Sequence, residues 1–167
     1  MDKDNSYLSL ASIGGALMEQ QVTNKILSCN QDTAVYGLVL TQEQAVALAH
    51  TRTSALKDTK RIEFNSGIID RLIMAFCNSP YISNENYEDT LHELIGMFYD
   101  FKNDTWDAVT DDELISFMKK AFNGRCHGSL ELLSSEALPQ LSKHIHSGRS
   151  FGTFKQYSAV SYTHLTL

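Results

Sequence analysis

The segment NGRCHGSLELL, with Cys126 beside His127 between Gly124 and Gly128, carries the residue types richest in chemistry. A thiolate is a nucleophile and a soft metal ligand, and an imidazole serves as its base or shares its metal. Adjacent residues seldom aim their side chains at one point, so Cys126 and His127 make a poor dyad with each other. A metal site would have to recruit distant ligands, and KHIH offers His144 and His146. Two positions apart on a helix, those histidines point to different sides. The stretch therefore reads either as a metal or thiol site drawing on Cys126, His127, His144 and His146, or, preferred here, as a helix-terminating turn with a buried free cysteine.

Other stretches invite chemistry and fall short of it. LTQEQAVALAHTRTSAL resembles the opening of helix-turn-helix repressors, but His50 stands where the turn usually has glycine, and Thr51 follows in an apolar place. Ala45, Leu48, Ala49 and Leu56 read instead as one continuous helix face, with Arg52 snorkelling at its edge. A calcium loop starting at Asp100 in DFKNDTWDAVTDDE would put Lys102 in its third place and Thr105 in its sixth, where an oxygen ligand and a glycine are needed. Asp111, Asp112 and Glu113 are explained as first-turn acids favoured by the helix dipole, and Trp106 is expected to pack over the corner before them. SIGGAL lacks the lysine and the spacing of a phosphate loop or dinucleotide fingerprint, and IGGA is expected to be flexible punctuation. His50 and His92 have no partner constellation that spacing alone assembles.

The elements that must position these residues are helical. Ile68, Ile69, Leu72, Ile73 and Phe76 line one face, as do Tyr87, Leu91, Leu94, Ile95 and Phe98, and then Leu114, Ile115, Phe117, Met118, Ala121 and Phe122. Thr110 with Glu113, and Thr41 with Gln44, have the spacing of capping boxes, and Val109 with Leu114 that of a hydrophobic staple. Ser83 with Asn86 is a weaker version of the same signal. Gly124 is expected to end its helix in a left-handed conformation, and Pro80 follows the end of another. Helices are expected near 19 to 30, 41 to 58, 67 to 78, 84 to 102, 111 to 123 and 135 to 147, with RIEF as a short extended piece. The fold class is all-α, an irregular bundle of about six helices, read as one domain over residues 1–159.

Composition narrows the partners. The 167 residues are 43% hydrophobic and 20% charged, with a net charge of −6 that argues against a surface built to neutralise phosphates. No nucleic-acid partner and no membrane span are expected, since Asp70 and Arg71 split the most apolar stretch. Cys29, Cys77 and Cys126 are odd in number and widely spaced, so free thiols in a cytoplasmic protein are expected.

GLVLTQEQAVAL, GIIDRLIMAFCNSPYISNENYEDTLHELIGMFYDFKN and DDELISFMKKAFNGRCHGSLELL are similar to a small helical family of bacterial proteins carried under a domain-of-unknown-function label, over most of residues 20–147. The resemblance implies a bacterial origin and carries no catalytic residues with it. The last eight residues, VSYTHLTL, resemble a translated transposase-type sequencing adapter. Residues 160–167 are therefore expected to be a non-native tail that truncates or replaces the native carboxy terminus, and Tyr162 and His164 are set outside any site. The preferred function is a non-enzymatic interaction or accessory domain that contacts a protein partner or itself, with no cofactor. A small metal- or thiol-dependent enzyme centred on Cys126 and His127 is the alternative, and a helix-turn-helix regulator the third.

Overall fold

Thr41 opens the helix α3 (Gln42–Thr59) with the expected box: its hydroxyl accepts from the Gln44 amide at 3.1 Å, and Gln44 Oε1 accepts from the Thr41 amide at 2.9 Å. Thr110 and Glu113 repeat the arrangement at α6 (Asp111–Asn123), at 3.2 and 3.0 Å, with Val109 and Leu114 fully buried as the staple. Two of the four orphan amides at each helix start are satisfied within a single turn of chain, so these boundaries are set locally.

The computed structural model describes the backbone of residues 2–154 and the side chains of residues 14–154. The tail 160–167, with Tyr162 and His164, lies outside the described residues. Besides α3 and α6, the chain forms α1 (Asp2–Ser28), α2 (Asn30–Thr33), α4 (Ile69–Phe76), α5 (Tyr87–Asp104), the short α7 (Leu130–Leu132) and α8 (Leu138–His146). A 3-10 turn, Ala34–Tyr36, follows α2, and a π-turn, Leu133–Ala137, joins α7 to α8. The fold is all-α, and there is no strand among the described residues.

The chain divides into two compact units between Gly96 and Met97, inside α5. In the first, α1 packs against α3 and α4. Its core is made by Val22 and Ile26 of α1, Leu48 of α3, Leu72, Ile73 and Phe76 of α4, and Leu91, Leu94 and Ile95 of α5. Asn30 pins the segment before α3 by a reciprocal pair, donating to the Leu40 carbonyl and accepting from its amide, each at 2.9 Å. In the second unit Leu114, Met118 and Phe122 of α6 are buried, as are Leu133, Leu138, Leu141 and Ile145. Phe117 meets the rings of Phe151 and Phe154 at centroid distances of 6.5 and 5.5 Å.

Several local expectations are corrected. Gly14 and Gly15 lie inside α1 rather than punctuating the chain. α5 starts at Tyr87, because residues 83–86 close a turn in which Asn86 accepts from the Ser83 amide at 3.0 Å. The last helical run begins at Leu130, where the Ser129 hydroxyl accepts from the Leu132 amide at 3.1 Å, and not near 135. Gly124 is not left-handed, having φ −94°; it is required because a Cβ there would lie 2.8 Å from the Lys120 carbonyl oxygen. The left-handed positions that turn the chain are His127 (φ 49°) and Gly128 (φ 79°). Trp106, expected to pack over the corner before α6, is 66% exposed with φ 56°, and its contact there is a stack on His146 at 4.2 Å.

Candidate interaction surface

Arg52 decides what the chain does after α3. Expected at a helix edge, it is 3% exposed instead, with Nε donating to Glu63 Oε1 at 3.1 Å and Nη2 to the Asn65 carbonyl at 3.3 Å. A buried guanidinium must find acceptors in planar array, and the chain supplies them by folding residues 60–67 back over it. Three left-handed residues make that path: Lys60, which ends α3 at φ 57°, Asn65 at φ 56° and Gly67 at φ 61°. Gly67 also has no room for a side chain, since a Cβ would fall 1.9 Å from Glu63 Oε1.

The opposite side of this loop is apolar and open. Ile62 is 85% exposed and Phe64 82%, while Arg61 and Glu63 are half-buried. That alternation is the period-2 pattern an extended chain would show, although no strand is formed at residues 61–64. Ile62 forms no hydrogen bond with the described residues, and the Phe64 amide forms none either. The signal available in the sequence was Asn-Ser-Gly directly after RIEF, a turn former with two residues tolerant of φ > 0; the buried arginine was not readable.

The residues around Cys126 are placed differently. Cys126 is 2% exposed and lines a cavity of about 80 Å³ with Arg125, Leu132, Glu136, Ala137 and Gln140. Arg125, on its wall, donates to Gln140 Oε1 at 2.9 Å and to the Ala137 carbonyl at 3.4 Å. A space of that size is well below the several hundred Å³ of an ordinary ligand pocket. Burial pushes the Cys126 thiol above its ordinary value, Arg125 opposes the shift and Glu136 adds to it, so the group is held as the weakly nucleophilic thiol. His127 is exposed on the left-handed turn. His144 donates to the Ser150 carbonyl at 2.8 Å and lies against Phe154; His146 is hydrogen-bonded to the Asp104 carbonyl and stacked on Trp106. No three His, Cys, Asp or Glu side chains among the described residues are grouped to hold a metal.

One polar chain escaped the sequence reading. Thr51 Oγ1 lies 2.6 Å from His92 Nδ1, and His92 Nε2 lies 2.9 Å from Glu88. Hydroxyl, imidazole and carboxylate in a row are the parts of a nucleophilic relay. Thr51 and His92 sit in helix interiors, however, where backbone amides are committed to the helical ladder and cannot stabilise an oxyanion. The arrangement ties α3 to α5. α3 itself runs unbroken through His50 and Thr51, so the repressor-like turn does not form.

The first unit also buries a protonated cluster. Burial pushes Cys29 from 9.0 up to about 11, with Asp70 adding to the shift and Lys25 opposing it. Burial likewise pushes Tyr87 from 10.0 up to about 12, opposed by the Thr33 hydroxyl. Thr33 gives its own hydrogen to the Leu38 carbonyl at 2.7 Å, and the buried Tyr87 hydroxyl has no hydrogen-bond partner among the described residues. Both groups ionise more readily in the unfolded chain, so their contribution is complete below pH 9 and declines from there towards pH 11 and 12. Urea melts at successive pH values should show stability falling over that window. Tyr87→Phe should flatten the upper part of the decline and cost little at pH 7, because the hydroxyl it removes is unpartnered. A stability constant from pH 8 to 11 would contradict the assignment.

Comparison with known proteins gives a family match only: the model of a family of unknown function (DUF6323) matches residues 25–151. No curated protein and no solved structure matches the chain. No described helix is long and apolar enough to cross a membrane.

Proposed function

The chain belongs to the DUF6323 family of unknown function, and within it we propose a non-enzymatic protein-interaction domain that engages its partner through the loop of residues 60–67. One observation carries the reading: Ile62 and Phe64 are held almost wholly in water by a loop whose other side is anchored on a buried ion pair. Exposed apolar side chains are ordinary when scattered on mobile segments. Two of them fixed side by side on a rigid scaffold are the usual form of a binding anchor. The three cysteines, free and buried, fit a reducing compartment, and we assign the protein to the bacterial cytoplasm. The net charge of −6 supports a protein partner over nucleic acid.

Site-specific photo-crosslinking tests this. With Phe64 replaced by p-benzoylphenylalanine in the producing cell, irradiation should give one discrete adduct. The same residue at exposed Glu43 should give none, and Ile62→Ser should remove the adduct at 64. Indistinguishable patterns at 43 and 64 would sink the reading.

A further inference from the structure

We propose that the occupant of this loop is an extended, acidic segment of the partner protein, added as a strand alongside residues 61–64. The inference rests on the interaction reading above and specifies its chemistry.

The backbone argues for strand addition. Along residues 61–64 side-chain exposure alternates, and the Ile62 amide and carbonyl and the Phe64 amide have no partners among the described residues. Two open amides and one open carbonyl beside two large apolar side chains are a template for another extended chain. Main-chain hydrogen bonds would supply affinity, and Ile62 and Phe64 would select apolar residues at alternate positions of the ligand. The template is already ordered. Left-handed Lys60 and Asn65 bracket it, Glu63 is tied to Arg52, and Gly67 lies against the Glu63 carboxylate. Little conformational entropy is therefore lost on this side when a ligand docks.

Charge argues for an acidic ligand. Lys57 and Lys60 are exposed at the end of α3, and within residues 57–64 the acids are Asp58 and Glu63, the latter paired with Arg52. In a chain of net charge −6 this is a locally positive place. An acidic segment is drawn to it and repelled elsewhere, which favours one register of encounter. A second copy of this chain fits badly, because it would bring its own Lys57 and Lys60 against these.

The test uses the full chain and a fluorescein-labelled heptapeptide alternating valine with glutamate, read by fluorescence anisotropy. Saturable binding is expected, weakening at least about tenfold with Ile62→Ser or Phe64→Ser, both exposed positions whose helical circular dichroism should not change. Binding should weaken as salt is raised. A lysine-for-glutamate peptide should not bind, and a peptide N-methylated at alternate amides should lose binding, because it cannot donate to the template. No binding, binding insensitive to Ile62→Ser, or equal binding of the N-methylated peptide overturns strand addition. Co-sedimentation with phosphatidylglycerol vesicles, or a dimer that dissociates on Ile62→Ser, would overturn it in favour of a membrane or a second copy. If crosslinking at position 64 finds a partner while the peptide fails, the interaction reading stands and this inference falls; if both fail, both fall.

Discussion

Replacing Arg52 with alanine is expected to destabilise the protein by about 3–5 kcal/mol, the range for removing one member of a buried ion pair. The guanidinium is 3% exposed and serves two acceptors at once, Glu63 and the Asn65 carbonyl. Without it the Glu63 carboxylate, 14% exposed, loses the guanidinium that faces it, and the Asn65 carbonyl loses a donor. The paired change Arg52→Met with Glu63→Leu should cost far less, because no charge is stranded. It separates two roles: the double variant should fold but present Ile62 and Phe64 loosely, so its photo-adduct at position 64 should weaken while its urea midpoint stays near that of the parent. A loss below about 1 kcal/mol for Arg52→Ala, the range of a surface pair, would show that Glu63 rehydrates freely and that the loop is not anchored.

Lys102→Met is expected to cost about 2–3 kcal/mol, from a charge-assisted hydrogen bond lost together with a buried acceptor left without its donor. Lys102 is only 5% exposed, near the end of α5, and its ammonium donates to the Val109 carbonyl at 2.6 Å. Asp111 stands 3.0 Å from the same nitrogen and Asp107 3.6 Å. This one group holds a corner whose backbone is strained, since Trp106 and Asp107 are consecutive left-handed residues at φ 56° and 57°. Non-glycine residues persist there only when their surroundings fix them. Methionine keeps the length and apolar stem, so the loss measured by urea denaturation reports the ammonium alone. Lys102→Met with unchanged stability would mean that the carbonyl and the strained pair are held by other means.

The parts of this fold that were legible in the sequence are those written within four residues of one another. Thr41 with Gln44 and Thr110 with Glu113 fix two helix starts because both hydrogen bonds close inside one turn. The apolar faces of α4 and α6 were legible for a similar reason, as burial of Leu72, Ile73, Phe76, Leu114 and Met118 follows their spacing. What failed depended on partners brought from elsewhere. Arg52 looked like an edge residue because its acceptors, 11 and 13 positions later, arrive only when the loop folds back. Thr51 and His92 are 41 residues apart and meet only through helix packing. Gly124 announced a turn, but its reason is crowding at the Lys120 carbonyl rather than φ. For Cys126 the sequence showed a reactive residue type, and burial decides its protonation. Ile62 and Phe64 were visible as letters of an extended piece; that they would stand in water was not.

Trp106 gives the chain its own optical reporter. It is the sole tryptophan, it stands on the Lys102-held corner, and its indole lies nearly parallel to the His146 ring, 12° between planes. Its emission therefore monitors one place in the second unit, whereas far-ultraviolet circular dichroism averages over every helix. A melt in which the two signals share a midpoint would mark a single cooperative transition. A fluorescence change that precedes helix loss would show the corner opening first, and would rank it among the least protected backbone in the molecule.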